Sequence, residues 1–497
     1  MRDSQTLKKD SGGIVKYSNQ RRLGMVPRAM FVAALLFGGS AWAELGHSRL
    51  SDQPVPFRGP DEMPPLTPPI LEFGDVFLRP GNIKPGFTLP TGAVWQPRFW
   101  IFGTLRSSFA GYDTGGAPAR AARHRVEWFN RADIFGNLQL TGSERLLIGI
   151  TPLSDGASFT GKPFKPSGSA FQNEVNTKIR TFFFEGDIGQ IFPRLDPNDT
   201  KGFDIGFSIG RQEVNFQGGM LINDSLDALG ITKNNIRIEG LDWLNNLRVT
   251  GLAAWNGVNR NSSAVVTASR NVKDPGARLY GLFTSMDTVF GNNFASTIDA
   301  DLVFVDGKSN GSDDVWVGGI GATHRLGHVN NTLRLLGSRA TGRRTVQSNN
   351  GTLLFNELSW SPAGSDNIAY ANMFWGNNHF TSASRGGLAG GPLGRVGLMF
   401  AARGVGGYPA PLGNRSDDAV GGALGYQMFF DQNRRQVTLE IGARHERQPN
   451  LSDSVAVGIR LQQALGQRFI LDIEAFRSDR KRADNGYGWR LELLYKL

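Results

Sequence analysis

The sequence predicts an all-β protein, a transmembrane antiparallel β-barrel of 18 strands with 16 as the alternative count. Three observations carry that expectation. An export signal stands near the N-terminus, the chain from residue 98 onward has a hydrophobic period of two, and no later apolar run reaches the roughly 18 residues that a spanning helix needs.

Composition narrows the field first. The 497 residues include 33 Phe, 10 Trp and 8 Tyr, enough apolar surface to exclude a disordered chain. There is no Cys, so disulfides, thiolate metal sites and cysteine nucleophiles are excluded. The net charge of +10 is uneven, because residues 1–43 hold seven Lys or Arg against Asp3 and Asp10, a contribution of +5. The remaining +5 is spread over more than 450 residues, which gives no footing for a nucleic-acid partner.

Residues 28–43 read RAMFVAALLFGGSAWA, a basic residue, a short apolar core and the small-x-small triplet Ala41-Trp42-Ala43. This is a signal peptide, residues 1–43, cleaved after Ala43 for delivery to a Gram-negative-type outer membrane. A start at Met25 would leave an equally good signal, and the Arg21-Arg22 pair fits a twin-arginine signal poorly. Residues 44–97 follow as a separate segment holding 11 of the 24 prolines, a density that excludes sheet interior. They read as a periplasmic tail, with a small plug at 70–95 as the alternative.

The barrel is residues 98–497. Its last strand is the clearest: Trp489, Leu491, Leu493, Tyr495 and Leu497 alternate with Arg490, Glu492, Leu494 and Lys496. Similar alternation runs through Val455–Leu461 and Val437–Ala443, joined by short polar turns such as Gln448-Pro449-Asn450. One apolar face repeated over segments of about ten residues is the mark of a lipid-facing barrel wall. Reading backward, strands begin near Arg98, Arg123, Leu138, Thr177, Phe203, Ala228, Leu247, Arg278, Phe294, Asp314, Thr332, Thr352, Asn367, Gly394, Ala419, Arg435, Ser454, Arg468 and Gly486. An even number is required, and the segment at Gly394 is the weakest because residues 385–391 are too Gly-rich to pair firmly. Removing it leaves 18. A terminal strand that alternates to its last residue also fits contact with the barrel-assembly machinery, while its apolar face meets outer-membrane lipid.

An 18-stranded wall encloses a lumen. The long connections 152–176, 258–275 and 376–394 are candidate gates. Taking the polar partner of each alternation as inward, the candidate solute-binding residues are Arg106, Arg125, Arg131, Arg180, Arg248, Arg278, Arg334, Arg444, Arg460 and Arg490. Glu127, Asp133, Asp299, Asp301, Glu357, Glu440, Asp472, Glu474 and Glu492 share that phase. After Ala43 there are 37 Arg to 10 Lys, and the planar guanidinium fork grips carboxylate, sulfate or phosphate at two points. This favours small or polymeric anionic solutes. The competing reading is that these arginines pair with carboxylates on neighbouring strands and fill space.

Residues 210–221 read GRQEVNFQGGML at the end of a strand, and a Gly-Arg-Gln followed by an aromatic and glycines resembles the alginate-export family of outer-membrane porins. The resemblance covers a dozen residues and departs from the family at Ile222-Asn223-Asp224-Ser225. It implies an 18-stranded barrel with an arginine-lined passage for an acidic polysaccharide, and it adds Arg211 to the candidate positions.

Enzymatic and cofactor readings find no motif. Six histidines include His379, three residues before Ser382, and His445 beside Glu446, neither in a supporting context. The oxygen-rich stretches at 196–199 and 310–314 lack calcium-loop spacing, and no phosphate-binding loop opens a helix. No catalytic residue, metal or cofactor is expected. Two functions remain: a porin or export channel, and a structural or receptor-type barrel whose loops bind an external partner.

Overall fold

The computed structural model describes residues 67–74, 86–115, 124–198, 202–261, 271–291, 294–308, 313–345, 348–401, 404–449 and 451–497. The signal segment and most of the tail lie outside them, as do 262–270 within the second candidate gate. Eighteen strands form the wall: β1 Arg98–Asp113, β2 His124–Gln139, β3 Arg145–Ile150, β4 Ile179–Asp187, β5 Ile205–Phe216, β6 Ile222–Ile236, β7 Leu244–Asn256, β8 Arg278–Phe290 and β9 Phe294–Asp306. The second half is β10 Val315–Leu326, β11 Val329–Ala340, β12 Gly351–Trp360, β13 Ile368–Asn378, β14 Ala419–Phe430, β15 Arg435–Glu446, β16 Ser454–Leu465, β17 Phe469–Arg480 and β18 Gly486–Lys496.

Each strand pairs antiparallel with its sequence neighbour, and β18 pairs back onto β1 from Tyr487↔Asp113 to Lys496↔Thr104, closing the barrel. Short turns such as 327–328, 431–434 and 466–468 mark one end and the long connections the other, the usual periplasmic and extracellular ends. The described parts of 67–97 lie at the short-turn end. Leu71–Phe73 pairs with Phe99–Ile101, filling the edge of β1 that β18 does not reach. The Thr67 hydroxyl donates to Gln467 O at 3.1 Å and Arg194 Nη1 to Pro90 O at 2.9 Å.

Two sequence expectations need correction. The strand expected from Leu138 starts at Arg145, because Leu138 still belongs to β2, which ends at Gln139, and residues 141–144 turn, with Leu140 N–H donating to Glu144 O at 2.9 Å. The strand expected from Ala228 starts at Ile222, where residues buried inside the lumen are apolar on the inward face as well. The segment at Gly394, removed from the strand count, is two single 3-10 turns, Pro392–Arg395 and Leu398–Phe400.

The wall obeys the period of two. Trp489, Leu491 and Leu493 of β18 face lipid, while Arg490 and Glu492 are buried inside. Arg placed at the outward Leu493, 40% exposed, should destabilise the barrel by about 2–4 kcal/mol in urea unfolding. Leu494 faces inward, opposite Arg106, and Leu494→Arg should cost clearly less. Equal costs would place the phase wrongly.

Candidate functional site

The strand phase sorts the eleven candidate arginines. Arg106, Arg125, Arg131, Arg248, Arg334, Arg444, Arg460 and Arg490 lie on the inward phase set by the register between neighbouring strands. Arg180 does not: a register shift between Gly149 and Ile150 in the β3–β4 pairing takes it to the extracellular rim, where it pairs with Asp155 beside Lys178. Arg211 and Arg278 also depart from the expectation. Arg211 shares its phase with the outward Ile209, and Arg278 with the outward Tyr280 and Leu282. Arg278 opens β8 at its extracellular end, and Arg211, in the middle of β5, pairs with Asp227 level with Asn256 at the extracellular end of β7, where an outward position need not be apolar.

Most inward arginines are paired. Arg131 takes Asp133 through three contacts of 2.8–3.0 Å, and Arg106 Nε reaches Glu492 at 2.7 Å. Arg460 Nε reaches Asp472 at 2.9 Å, and Arg490 contacts Glu474 at 3.0 Å and Glu492 at 2.7 Å. Arg444 pairs with Glu446 at 2.5 Å and donates to Arg415 O at 2.6 Å. The side chains of Arg444 and Arg490 are only 1% exposed, so they hold structure rather than solute. Arg125 and Arg248 are exposed and make no ion pair among the described residues.

Two segments enter the lumen. The first is the tip of the β5–β6 hairpin, which contains the GRQEVNFQGGML stretch. Gly210, at φ +122°, lies so close to β4 that a Cβ would meet Phe182 O at 2.3 Å. Beyond it the hairpin folds inward against the neighbouring wall: Phe216 stacks on Phe283 of β8 with centroids 3.4 Å apart, and Gln217 Nε2 donates to Asp301 of β9 at 2.9 Å. Met220, Leu221 and Ile222 are completely buried there.

The second is the β13–β14 connection, residues 379–418, within which the third candidate gate falls. Apart from Ser384–Arg385, which pair parallel with Ile222–Asn223 of β6, its described residues make no ladder, so the rest of its buried backbone must find other partners. The wall supplies carboxylates. Glu440 accepts the N–H groups of Leu398 and Met399 at 2.8 and 2.7 Å, Glu127 accepts Gly407 N–H at 2.6 Å, and Glu492 accepts Val405 N–H at 3.3 Å. Arg385 ties this loop to the hairpin, donating to the carbonyls of Gly219, Ala389, Gly390 and Gly391. Burial pulls its pKa down to about 10 against the pull of Asp224, which leaves it charged at neutral pH. Asp224 in turn accepts from Ser384 and Asn259, and Ala383 N–H donates to Leu221 O at 2.9 Å.

The two segments also meet at Arg395. Arg395 of the loop packs within 3.1 Å of where a Cβ on Gly218 would sit, and it reaches both carboxylate oxygens of Glu357 at 3.3 Å. Arg334 holds the same Glu357 from the wall at 3.3 Å. Alongside is a hollow of about 460 Å³ lined by Phe216, Gln217, Arg248, Thr250, Asp299 and Asp301. Arg395 and Gln217 escaped the sequence reading because neither lies on an alternating strand. Among the described residues no cluster of three or more His, Asp or Glu could hold a metal, and the Ser382 hydroxyl, the nearest nucleophile to His379, donates to Met220 O at 2.6 Å.

No family model matches the chain, and no curated protein matches it either. Solved structures do. Acinetobacter baumannii OccAB4 is 10% identical, with 82% of this chain and 100% of that chain covered at a TM-score of 0.50. A BenF-like porin from Pseudomonas fluorescens Pf-5 is 13% identical over 80% of this chain and 98% of its own, at 0.49. Pseudomonas aeruginosa OpdK, solved with vanillate, is 10% identical over the same shares, at 0.49. The likeness is one of fold, which in this chain is a closed 18-stranded antiparallel barrel.

The loop anchors can be tested. Glu440→Ala leaves two buried N–H groups unmet at about 1–3 kcal/mol each, so the loop should detach and single-channel conductance should rise. At the loop's neck, His379 Nδ1 stands 3.5 Å from Asp417, with Arg415 and Asp418 nearby. The hydrogen bond to Asp417 raises the His379 pKa. Its stabilisation is therefore complete below the unfolded value of about 6.5 and is lost as pH rises through the folded value. Proteolysis at the neck should increase as pH rises above about 6.5, and His379→Asn should remove that dependence.

Proposed function

We propose that the chain is an outer-membrane porin passing small hydrophilic solutes, preferentially anionic ones such as carboxylates. The observation that carries this reading is the unequal exposure of the inward charges. Asp301, Asp472, Glu474 and Glu492 are buried, and Asp299 and Glu357 half-buried, whereas Arg125, Arg248 and Arg395 stay exposed. A passing solute meets the field of the exposed groups first, and carboxylates already engaged by arginines or backbone N–H groups contribute little net potential.

An acidic polysaccharide, the cargo implied by the resemblance at residues 210–221, carries the same charge. The hairpin tip folds into the lumen and meets the inserted loop there, which favours small solutes over a polymer. Export through the signal ending at Ala43, and recognition of β18 by the barrel-assembly machinery, complete the proposal.

Reversal potential in a planar bilayer under a KCl gradient tests it. Chloride should be preferred, more so near about 0.1 M, where the Debye length is about 10 Å. Arg248→Ala and Arg395→Ala should each reduce the preference, while Arg278→Ala should not. A cation-preferring pore would overturn the anionic reading and leave the barrel intact.

A further inference from the structure

Arg211 and Arg278, which the phase turns away from the lumen, stand above an unusual part of the outer wall. Across β6–β10 the lipid face is indented by a groove of about 430 Å³, walled by Leu229, Leu282, Phe304 and Trp316 and floored by Gly251 and Ala253. Nothing lies within 4 Å of the space a Gly251 side chain would occupy, so the indentation is open to the bilayer.

The extracellular end of this groove is charged. Asp227, Arg278 and Asp306 follow Leu229, Tyr280 and Phe304 two residues along the same outward faces. Asp227 is neutralised by Arg211 at 2.6 and 2.8 Å, and Asp306 by Lys308 at 2.5 Å. Arg278 is exposed and has no ion pair among the described residues. Three cations against two carboxylates leave a net charge of +1, and Arg278 is the group that supplies it. Lys273, exposed and acting on Asp227, adds to the same sign.

We propose that this groove is a binding site for an outer-leaflet lipid bearing a phosphate group, with an acyl chain in the groove and the phosphate on Arg278. The chemistry fits at both ends. An acyl chain fills the apolar channel between Leu229 and Trp316 without displacing a side chain. A phosphate oxygen pair matches the guanidinium fork at the level where the outer leaflet's headgroups begin. The carboxylates nearest to it are already paired, so they do not repel it. The site is independent of what crosses the lumen.

Trp316 reports on the site directly. In the full chain held in neutral detergent, phosphatidic acid with brominated acyl chains should quench Trp fluorescence at lower concentration than phosphatidylcholine with the same chains. The difference should vanish in Trp316→Phe, which identifies the quenched residue among the ten tryptophans. Arg278→Ala should weaken the phosphatidic acid response about fivefold, the worth of one basic side chain at a charged lipid surface. Gly251→Leu, which fills the groove and leaves Arg278 in place, should abolish Trp316 quenching by both lipids. Equal quenching by the two lipids in the unaltered chain, or an unchanged preference in Arg278→Ala, overturns the proposal. An oligomer in which neither lipid reaches Trp316 also overturns it and gives the groove to a second copy of the chain.

Discussion

Everything in this molecule follows from the demand that no backbone N–H or C=O be left unpaired in hydrocarbon. The demand is met by one contact, the pairing of β18 with β1, which turns an open sheet with two bare edges into a closed wall. Closure fixes the strand phase all round the barrel. The phase in turn sends one residue of each pair to lipid and the other into an enclosed space too wide for side chains alone to fill.

The interior is filled by chain, and the wall's carboxylates make that affordable in physical terms. A loop with little secondary structure has buried N–H groups, and Glu127, Glu440 and Glu492 accept them from the wall. Buried charges are costly unless paired and hydrogen-bonded, and arginines stand beside two buried acids: Glu492 between Arg106 and Arg490, and Glu474 against Arg490. Glu492 thus both holds the inserted loop and has its negative charge withdrawn from the passage. Of the arginines that remain exposed, Arg125 and Arg248 meet no wall carboxylate among the described residues, and Arg395 shares Glu357 with Arg334.

The wall was legible in the sequence because lipid imposes a strict code. β15, β16 and β18 alternate, β17 does so except at Ile470, and expected starts at Ala419, Arg435, Ser454 and Gly486 coincide with the observed ones. The code weakens in two places. At the extracellular strand ends the outward face leaves the hydrocarbon, so polar no longer means inward, and Arg278 faces outward for that reason; Arg211, a candidate through the resemblance at 210–221, also lies on the outward phase. Inside the lumen, apolar residues can face inward when a loop covers them, which hid the first residues of β6. The junction of the two inserted segments was the least legible part. Arg395 lies in a glycine-rich stretch with no period, and its partner Glu357 lies on a strand nearly forty residues earlier; only folding brings them together. The segment at 210–221 was noticed for its resemblance, but nothing in its spacing announces a hairpin folded into the lumen.

The account's central claim is that solute passes the hollow beside the hairpin tip, on the inward face of β7. The chain has no cysteine, so single cysteines can be introduced without background. Thr250→Cys places a thiol on the wall of the hollow, and Val249→Cys places one on the opposite, lipid-facing side of the same strand. The most direct measurement is single-channel current before and after a charged, membrane-impermeant thiol reagent. Modification should lower the current stepwise through the Thr250→Cys channel and leave the Val249→Cys channel unchanged. An unaltered current through a Thr250→Cys channel shown to be labelled would place the passage elsewhere and contradict the account.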